Sequence, residues 1–134
     1  MKKEFIPYKE ALALKELGFD EICLGHYYKR DNEQCLVIYG EFAPDTSKWL
    51  CTPLYQQAFR WFREKHGLDA EIMPYKFNRK EAKILGIIKG KRYVFILDDD
   101  ELPELEKINF FNTYQEAEQA CLIKLIEITK KKQQ

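Results

Sequence analysis

Apolar residues recur at helical spacing in PYKEALALKELGF, the segment that begins at Pro7. One broad apolar stripe consists of Tyr8, Ala11, Leu12, Leu14 and Leu17. Gly18 permits a left-handed cap after the last turn, and Phe19 can reach back to Leu14, as in a Schellman ending. The pattern therefore predicts a first helix that ends at Gly18.

Residues typical of strands dominate the next two segments, EICLGHYYK and QCLVIYGEF, which the polar stretch RDNE joins. They predict a β-hairpin, followed by a loop at APDTSKWLC. Thr52 is a suitable N-cap with Pro53 at the first helical position, so a second helix is predicted to begin there. This helix is predicted to end on Gly67, where Leu68 can contact Phe62 one turn back.

Three further strands are predicted at AEIMPYKF, AKILGIIK and KRYVFIL, with a tight turn between the last two around Lys89, Gly90 and Lys91. Pro74 cannot donate a hydrogen bond to a ladder, so its strand should lie at an edge or carry a bulge. The segment DDDELPELEK is acidic and is interrupted by proline. It therefore predicts a loop.

The last segment, NTYQEAEQACLIKLIEITKKK, predicts the best-defined helix, because Thr113 and Glu116 have the spacing of a capping box. Its predicted buried face consists of Ala117, Cys121, Leu122, Leu125, Ile126 and Ile128. These elements predict an α+β protein in which helices cover one face of an antiparallel sheet, in the order α-ββ-α-βββ-α. One domain is predicted over residues 1–134, with a helix and hairpin at 1–51 and an α-βββ-α unit at 52–134.

The composition is that of a folded protein without a strong overall charge. The 134 residues are 46% hydrophobic, which is far from the profile of disordered chains. The 22 basic and 22 acidic residues balance, so any binding to nucleic acid must be local. The sequence has neither a signal-peptide pattern nor an apolar run of roughly 18–20 residues. We therefore expect a cytoplasmic protein that does not enter a membrane.

Three segments, FIPYKEALALKELGFDE, PLYQQAFRWFREKHGL and YQEAEQACLIKLIEI, together resemble a family of small uncharacterised proteins. That family recurs in Bacteroidetes-type bacteria and their phages. The resemblance implies a phage or mobile-element origin and a location in the cytoplasm of a bacterial host. It implies no activity and no site residues. Residues 73–108 lie in the variable part of the resemblance, where a special function of this member is expected.

No cysteine motif for metal binding is present in the sequence. The four cysteines are Cys23, Cys35, Cys51 and Cys121, and none of them forms a CxxC pair. In a reducing cytosol we expect them to be small buried residues, with Cys51 in the predicted loop as the weakest case. Cys23 and His26 have C-x2-H spacing, but a strand directs residues three apart to opposite faces. We therefore predict no metal ligands.

Other catalytic and cofactor signatures are also missing from the sequence. His66 lies in the last turn of the second helix, where a cationic ring suits the helix dipole. The acidic run at residues 98–101 lacks the spaced ligands of a calcium loop and predicts a solvated loop. No glycine-rich phosphate loop occurs, and the single serine, Ser47, has no nucleophile elbow around it. We predict no catalytic residues, no cofactor and no enzymatic activity.

Charges are segregated in the second half of the chain. Residues 76–92 contain seven bases and one acid, whereas residues 98–106 contain six acids and no base. A basic hairpin could bind phosphates through Arg79, Lys80, Lys83, Lys89, Lys91 and Arg92. The alternative is that edge lysines prevent unwanted strand pairing. The α-βββ-α order also resembles a double-stranded-RNA-binding domain, although the last helix begins with NTYQEAEQ, which has two glutamates and no base.

The leading functional hypothesis is a non-enzymatic accessory protein that binds a protein partner or a second copy of itself. Its predicted surface combines aromatic and arginine side chains, which are common at interface hot spots: Trp49, Tyr55, Arg60, Trp61 and Arg63. Trp61 lies off the central apolar stripe of its helix, and its burial decides whether it is available. Nucleic-acid binding is the second hypothesis. A phage counter-defence protein that sequesters a nucleotide or blocks a host enzyme is the third, and a pocket lined by bases and aromatics would support it.

Overall fold

A computed structural model describes residues 2–30, 33–38, 49–85, 92–97 and 109–133. The elements are a 3-10 turn at Lys2–Glu4, α1 at Tyr8–Glu16, β1 at Gly25–Arg30, β2 at Glu33–Ile38, β3 at Trp49–Thr52, α2 at Tyr55–His66, β4 at Ala70–Tyr75, α3 at Arg79–Leu85, β5 at Arg92–Leu97 and α4 at Tyr114–Gln133. All strand pairs among these described residues are antiparallel. The predicted α+β class is confirmed.

The chain divides into two compact units. The first unit comprises Met1–Gly67 and Leu122–Gln134, and the second comprises Leu68–Cys121. Helix α4 therefore contributes residues to both. The predicted single domain, with its division between residues 51 and 52, stays a prediction.

No helix in the described part of the chain is long and apolar enough to cross a membrane.

The first unit contains a three-stranded sheet in the order β2-β1-β3. The predicted β1–β2 hairpin pairing is confirmed, with Gly25 opposite Ile38. The predicted loop at APDTSKWLC is wrong at its end, because Trp49–Thr52 pairs with β1 as a third strand. Burial alternates along these four residues, with Leu50 and Thr52 buried, as expected for a strand with one face in the core. Residues 43–48 of that predicted loop lie outside the described residues.

The prediction that Thr52 caps the second helix is also wrong. Helix α2 begins at Tyr55 with Leu54 at its N-cap, and no side chain caps it. Thr52 is fully buried, and its hydroxyl donates a 2.5 Å hydrogen bond to the carbonyl oxygen of Ile6. The Tyr27 hydroxyl donates to the same oxygen at 3.1 Å. Thr52 therefore joins β3 to the N-terminal segment.

Both predicted glycine endings are confirmed. Gly18 has a φ of 103°, and the amide of Phe19 donates to the carbonyl of Leu14 at 2.9 Å. Gly67 has a φ of 65°, and its amide donates to the carbonyl of Phe62. These left-handed positions favour glycine because it has no Cβ. Each helix consequently stops where the sequence predicts.

The core of the first unit is formed by residues from α1, α2 and α4 together with the N-terminal segment. Its fully buried apolar residues include Ile6, Leu14, Ala58, Phe62, Leu122 and Leu125. Most of the predicted stripe of α1 is buried, but Leu12 is 39% exposed. The 0% exposure of Leu122 and Leu125 confirms that the apolar face of α4 is buried there.

The second unit contains the antiparallel pair β4–β5, in which Tyr75 faces Arg92. The predicted strand AKILGIIK is wrong, because residues 79–85 form helix α3 and residues 86–91 lie outside the described part. Asn78 explains the difference. Its side-chain Oδ1 accepts a 2.8 Å hydrogen bond from the Glu81 amide, and Glu81 Oε1 accepts one of 3.2 Å from the Asn78 amide. This reciprocal capping box starts a helix despite the β-branched residues that follow.

The corrected order changes the topology of the second half. In the described residues α2 is followed by β4, α3, β5 and α4, so the α-βββ-α order of a double-stranded-RNA-binding domain is not observed. Pro74 faces Tyr93 in the two-stranded pair. The predicted cap of α4 is present in modified form. Thr113 Oγ1 accepts from the Glu116 amide, while the Glu116 carboxylate accepts from the amide of Asn112.

Candidate functional site

Two aromatic residues of the predicted partner surface lie in the core of the first unit. Tyr55 is 6% exposed and Trp61 is 3% exposed. Trp61 packs edge-on against Phe19 at 5.4 Å between ring centroids, and against His66 at 4.7 Å. Both residues are almost fully covered, which does not favour their predicted role in contacting a partner, and that role stays a prediction. Burial of both rings makes them part of the packing that holds α2.

The other three predicted partner residues do not form a joint aromatic surface. Trp49 is half-buried on β3, with its ring 4.9 Å from that of Tyr28 and 6.4 Å from that of His26. Arg60 and Arg63 are exposed on α2. Arg60 lies 3.6 Å from the carboxylate of the half-buried Glu21, and a pair of this kind near the surface contributes at most about 1 kcal/mol.

A different apolar surface lies at one end of the three-stranded sheet. Ile22 is 62% exposed, Leu24 is 41% exposed and Ile38 is 41% exposed. Leu24 directly precedes Gly25, which is opposite Ile38, so these side chains belong to the same end of the sheet. We call Ile22, Leu24 and Ile38 the apolar corner. The sequence did not reveal it, because large apolar residues in a predicted hairpin are expected to point into the core.

Strand β2 has a paired side and an open side. It pairs with β1 along Glu33–Ile38, and no described strand pairs with it on the other side. Each of its residues is exposed or half-buried. Ile38 is the last residue of β2, so the open side of β2 and the apolar corner lie at the same end of the sheet.

The second unit contains all four of the described basic candidates. Arg79, Lys80 and Lys83 are exposed on α3. Arg92 is half-buried on β5, directly opposite Tyr75. The remaining two candidates, Lys89 and Lys91, lie outside the described residues. The predicted basic hairpin is replaced by a basic helix beside a strand pair.

Three aromatic rings form a cluster next to these bases. The ring centroids of Tyr75 and Phe77 are 5.1 Å apart, those of Phe77 and Phe110 are 4.8 Å apart, and those of Tyr75 and Phe110 are 5.3 Å apart. All three residues are half-buried. We call this cluster the aromatic trio. Phe110 is held in position by its neighbour Phe111, which exchanges two 2.9 Å backbone hydrogen bonds with Tyr93.

Glu81 connects the aromatic trio to α3. The Tyr75 hydroxyl donates a 2.7 Å hydrogen bond to Glu81 Oε2. This bond, together with the backbone hydrogen bond from Asn78, lowers the pKa of Glu81, and the same bond is the main cause that raises the pKa of Tyr75. Glu81 is the one acidic residue among the seven basic residues of 76–92. Its carboxylate oxygens accept hydrogen bonds from Tyr75 and Asn78.

The cysteines differ in burial. Cys23 and Cys121 are buried as predicted, and burial raises the pKa of each thiol to about 12. Cys51 is half-buried, and burial raises its pKa as well. Cys35 is exposed on β2, so its predicted burial is wrong. High thiol pKa values disfavour the thiolate, which is the nucleophilic form.

The two histidines are packed among aromatic rings. His26 is buried within β1, and burial lowers its pKa. Burial and the nearby charge of Lys132 lower the pKa of His66, which disfavours the cation expected at a helix end. Within the described ranges, no group of three or more His, Cys, Asp or Glu side chains is arranged to hold a metal ion.

A cavity of about 340 Å³ lies in the first unit, between α1, the segment that follows it and β3. Its polar and aromatic lining includes Lys15, Phe19, Asp20, Glu21 and Trp49. The two carboxylates outnumber the single base. Their charge repels phosphate groups, so this cavity does not have the lining expected for a nucleotide site.

Comparisons of the chain with protein-family models, with curated proteins and with solved structures found no match. The resemblance to small proteins of Bacteroidetes-type bacteria and their phages therefore stays a prediction. Function has to be inferred from the surfaces of the molecule. Two of these surfaces are formed by exposed or half-buried side chains: the open side of β2 with the apolar corner, and the basic helix with the aromatic trio.

Proposed function

We propose that this protein is a non-enzymatic phage or mobile-element accessory protein that acts by protein binding, and that it binds a second copy of itself. The observation that carries the proposal is the open side of β2 next to the apolar corner. The open side of an edge strand presents a row of amide and carbonyl groups that can pair with another strand. The exposed side chain of Ile38 loses contact with water when a second strand pairs beside it, which adds a hydrophobic contribution.

The sequence of β2 supports strand pairing. Proteins commonly protect open strands with lysine or proline, and EQCLVI contains neither. Its only charge is Glu33 at the first position. In an antiparallel pair of two β2 strands, the two Glu33 side chains lie at opposite ends, so their repulsion is small. Symmetric pairing of this kind joins the two three-stranded sheets into one sheet of six strands.

The exposed thiol of Cys35 provides a direct test. Cys35 lies near the middle of β2, so antiparallel pairing brings the two Cys35 residues of a dimer close together. A short thiol-to-thiol cross-linker should produce a covalent dimer with the wild-type protein and with the C51S variant. The C35S variant should give none. Absence of a covalent dimer, or cross-linking that persists in C35S, would contradict the proposal.

A second candidate function is nucleic-acid binding by the second unit. The observation that favours it is the exposure of Arg79, Lys80 and Lys83 on α3, with Arg92 opposite Tyr75 in the adjacent strand pair. Binding to phosphates releases counterions, so the affinity should fall steeply as salt increases. Labelled duplex and single-stranded probes at low salt test this candidate. If neither probe binds, the candidate is excluded.

A further inference from the structure

We propose that the second unit binds single-stranded nucleic acid. In this proposal nucleobases stack on the aromatic trio of Tyr75, Phe77 and Phe110, and phosphates contact the basic side chains of α3. The inference rests on the second candidate function and specifies its ligand. Proteins that bind single strands combine a basic surface with aromatic side chains on which successive bases stack. Both parts occur here within one unit.

The basic side chains occupy one side of α3. Residues three and four apart are neighbours on a helix, so Lys83 lies beside both Arg79 and Lys80. All three residues are exposed. Glu81 faces away from Arg79 and Lys83 on the helix, and it accepts hydrogen bonds from Tyr75 and Asn78. The exposed side of α3 therefore presents positive charge without an interspersed acid.

The aromatic trio is held next to that helix. Phe77 lies between the end of β4 and the start of α3, and the Tyr75 hydroxyl is bonded to Glu81 in the first turn of α3. Lys76, which lies between Tyr75 and Phe77 in the sequence, is exposed. Arg92 is opposite Tyr75 in the β4–β5 pair. Lys76 and Arg79 lie on either side of Phe77 in the sequence and are both exposed, so basic side chains flank the position at which a nucleobase would stack. All three residues of the aromatic trio are half-buried, so each keeps part of its surface exposed.

The arrangement favours a single strand over a duplex. An aromatic ring can stack on a base only when that base is not already stacked and paired. The fold also lacks, in its described part, the three-stranded α-βββ-α order that the sequence suggested and that is associated with duplex RNA. A duplex would contact only the basic helix and leave the aromatic trio unused.

The test uses fluorescence anisotropy of the full chain with a labelled oligothymidylate, the matching duplex and polyglutamate as competitor. The F77L variant removes the ring but keeps an apolar side chain. We expect it to lose roughly 5- to 150-fold in affinity for the single strand, with an unchanged salt slope. The K80Q variant should instead lower the salt slope by roughly 0.7, the value for one phosphate contact with a single strand. K65Q, which changes an exposed base on α2 of the first unit, should bind as wild type.

Each outcome tests a different part of the proposal, either base stacking or nucleic-acid binding itself. Equal affinity for duplex and single strand, or wild-type affinity of F77L, would overturn stacking while leaving nucleic-acid binding in place. No binding of either probe at low salt would overturn both. Competition by polyglutamate as strong as that by unlabelled oligothymidylate would indicate a site for acidic protein and overturn the inference. If F77L is unfolded by circular dichroism, F110L provides the same measurement from the other side of the aromatic trio.

Discussion

The hydroxyl of Tyr75 donates a 2.7 Å hydrogen bond to the carboxylate of Glu81. This bond joins the last residue of β4 to the first turn of α3, across a segment of only three residues. The same carboxylate accepts from the amide of Asn78, whose side chain caps the helix. The aromatic trio and the basic helix are thereby held in a fixed relation, on which the proposed single-strand site depends.

The Tyr75–Glu81 bond can be tested through the pKa of Glu81. Because the hydrogen bonds from Tyr75 and Asn78 lower this pKa, they favour the folded state above the usual carboxyl pKa. Their contribution is lost as the pH falls through the lowered value. The Y75F variant should raise the pKa of Glu81 towards its ordinary range, which a carboxyl-carbon NMR titration can measure. An unchanged pKa in Y75F would show that the bond does not form in solution.

Asn78 is predicted to stabilise α3 through its cap. The N78A variant should lower the free energy of unfolding by about 1 kcal/mol, because the Glu81 amide loses its acceptor. N78D and N78S keep a capping oxygen and should lose much less. Urea denaturation compares the three variants. A loss in N78D or N78S equal to that in N78A would mean that the cap is not the cause.

Gly67 is predicted to be required for its backbone conformation and not for space. A Cβ at this position meets no atom within 4 Å, but the φ of 65° is unfavourable for residues with a side chain. The G67A variant should therefore lower the free energy of unfolding by about 1 kcal/mol. G67N should lose less, since asparagine tolerates left-handed positions better. Thermal or urea unfolding measures both. Equal stability of G67A and wild type would exclude the left-handed ending of α2.

Burial of Trp61 can be tested by fluorescence, because the chain has only two tryptophans. The W49F variant leaves Trp61 as the only emitter, and its 3% exposure predicts short-wavelength emission and weak quenching by acrylamide. The W61F variant leaves the half-buried Trp49, whose emission should be quenched more strongly. Strong quenching in W49F would show that Trp61 is exposed, and would support its predicted role in partner binding.

The ends of α1 and α2 and the start of α4 could be predicted because their signals are local. Glycine after an apolar stripe gave the ends of α1 and α2, and Thr113 gave the start of α4. The same reasoning was wrong at α3, where the apolar run in AKILGIIK indicated a strand. The Asn78-x-x-Glu81 capping box precedes that run and favours a helix, and this signal was available in the sequence.

Other parts of the candidate sites depend on contacts between distant segments. Trp61 lies off the stripe of α2, but Phe19 from the segment after α1 covers it. The aromatic trio requires Phe110 to reach Phe77 across more than 30 residues, which no spacing rule indicates. Strand β3 was not predicted because its four residues follow a segment rich in turn-forming residues. Burial and side-chain clustering of this kind arise from tertiary packing and not from local pattern.

The most direct test of the proposed function is sedimentation velocity over a range of protein concentrations. The wild type should associate to a dimer. The I38K variant should remain monomeric, because a lysine beside the open side of β2 opposes strand pairing and removes part of the apolar corner. I123K is the matched control, since Ile123 is 47% exposed on α4 and lies outside this surface. It should dimerise as wild type does. A wild-type protein that stays monomeric at its highest soluble concentration, or an I38K variant that dimerises equally well, would contradict self-association through β2.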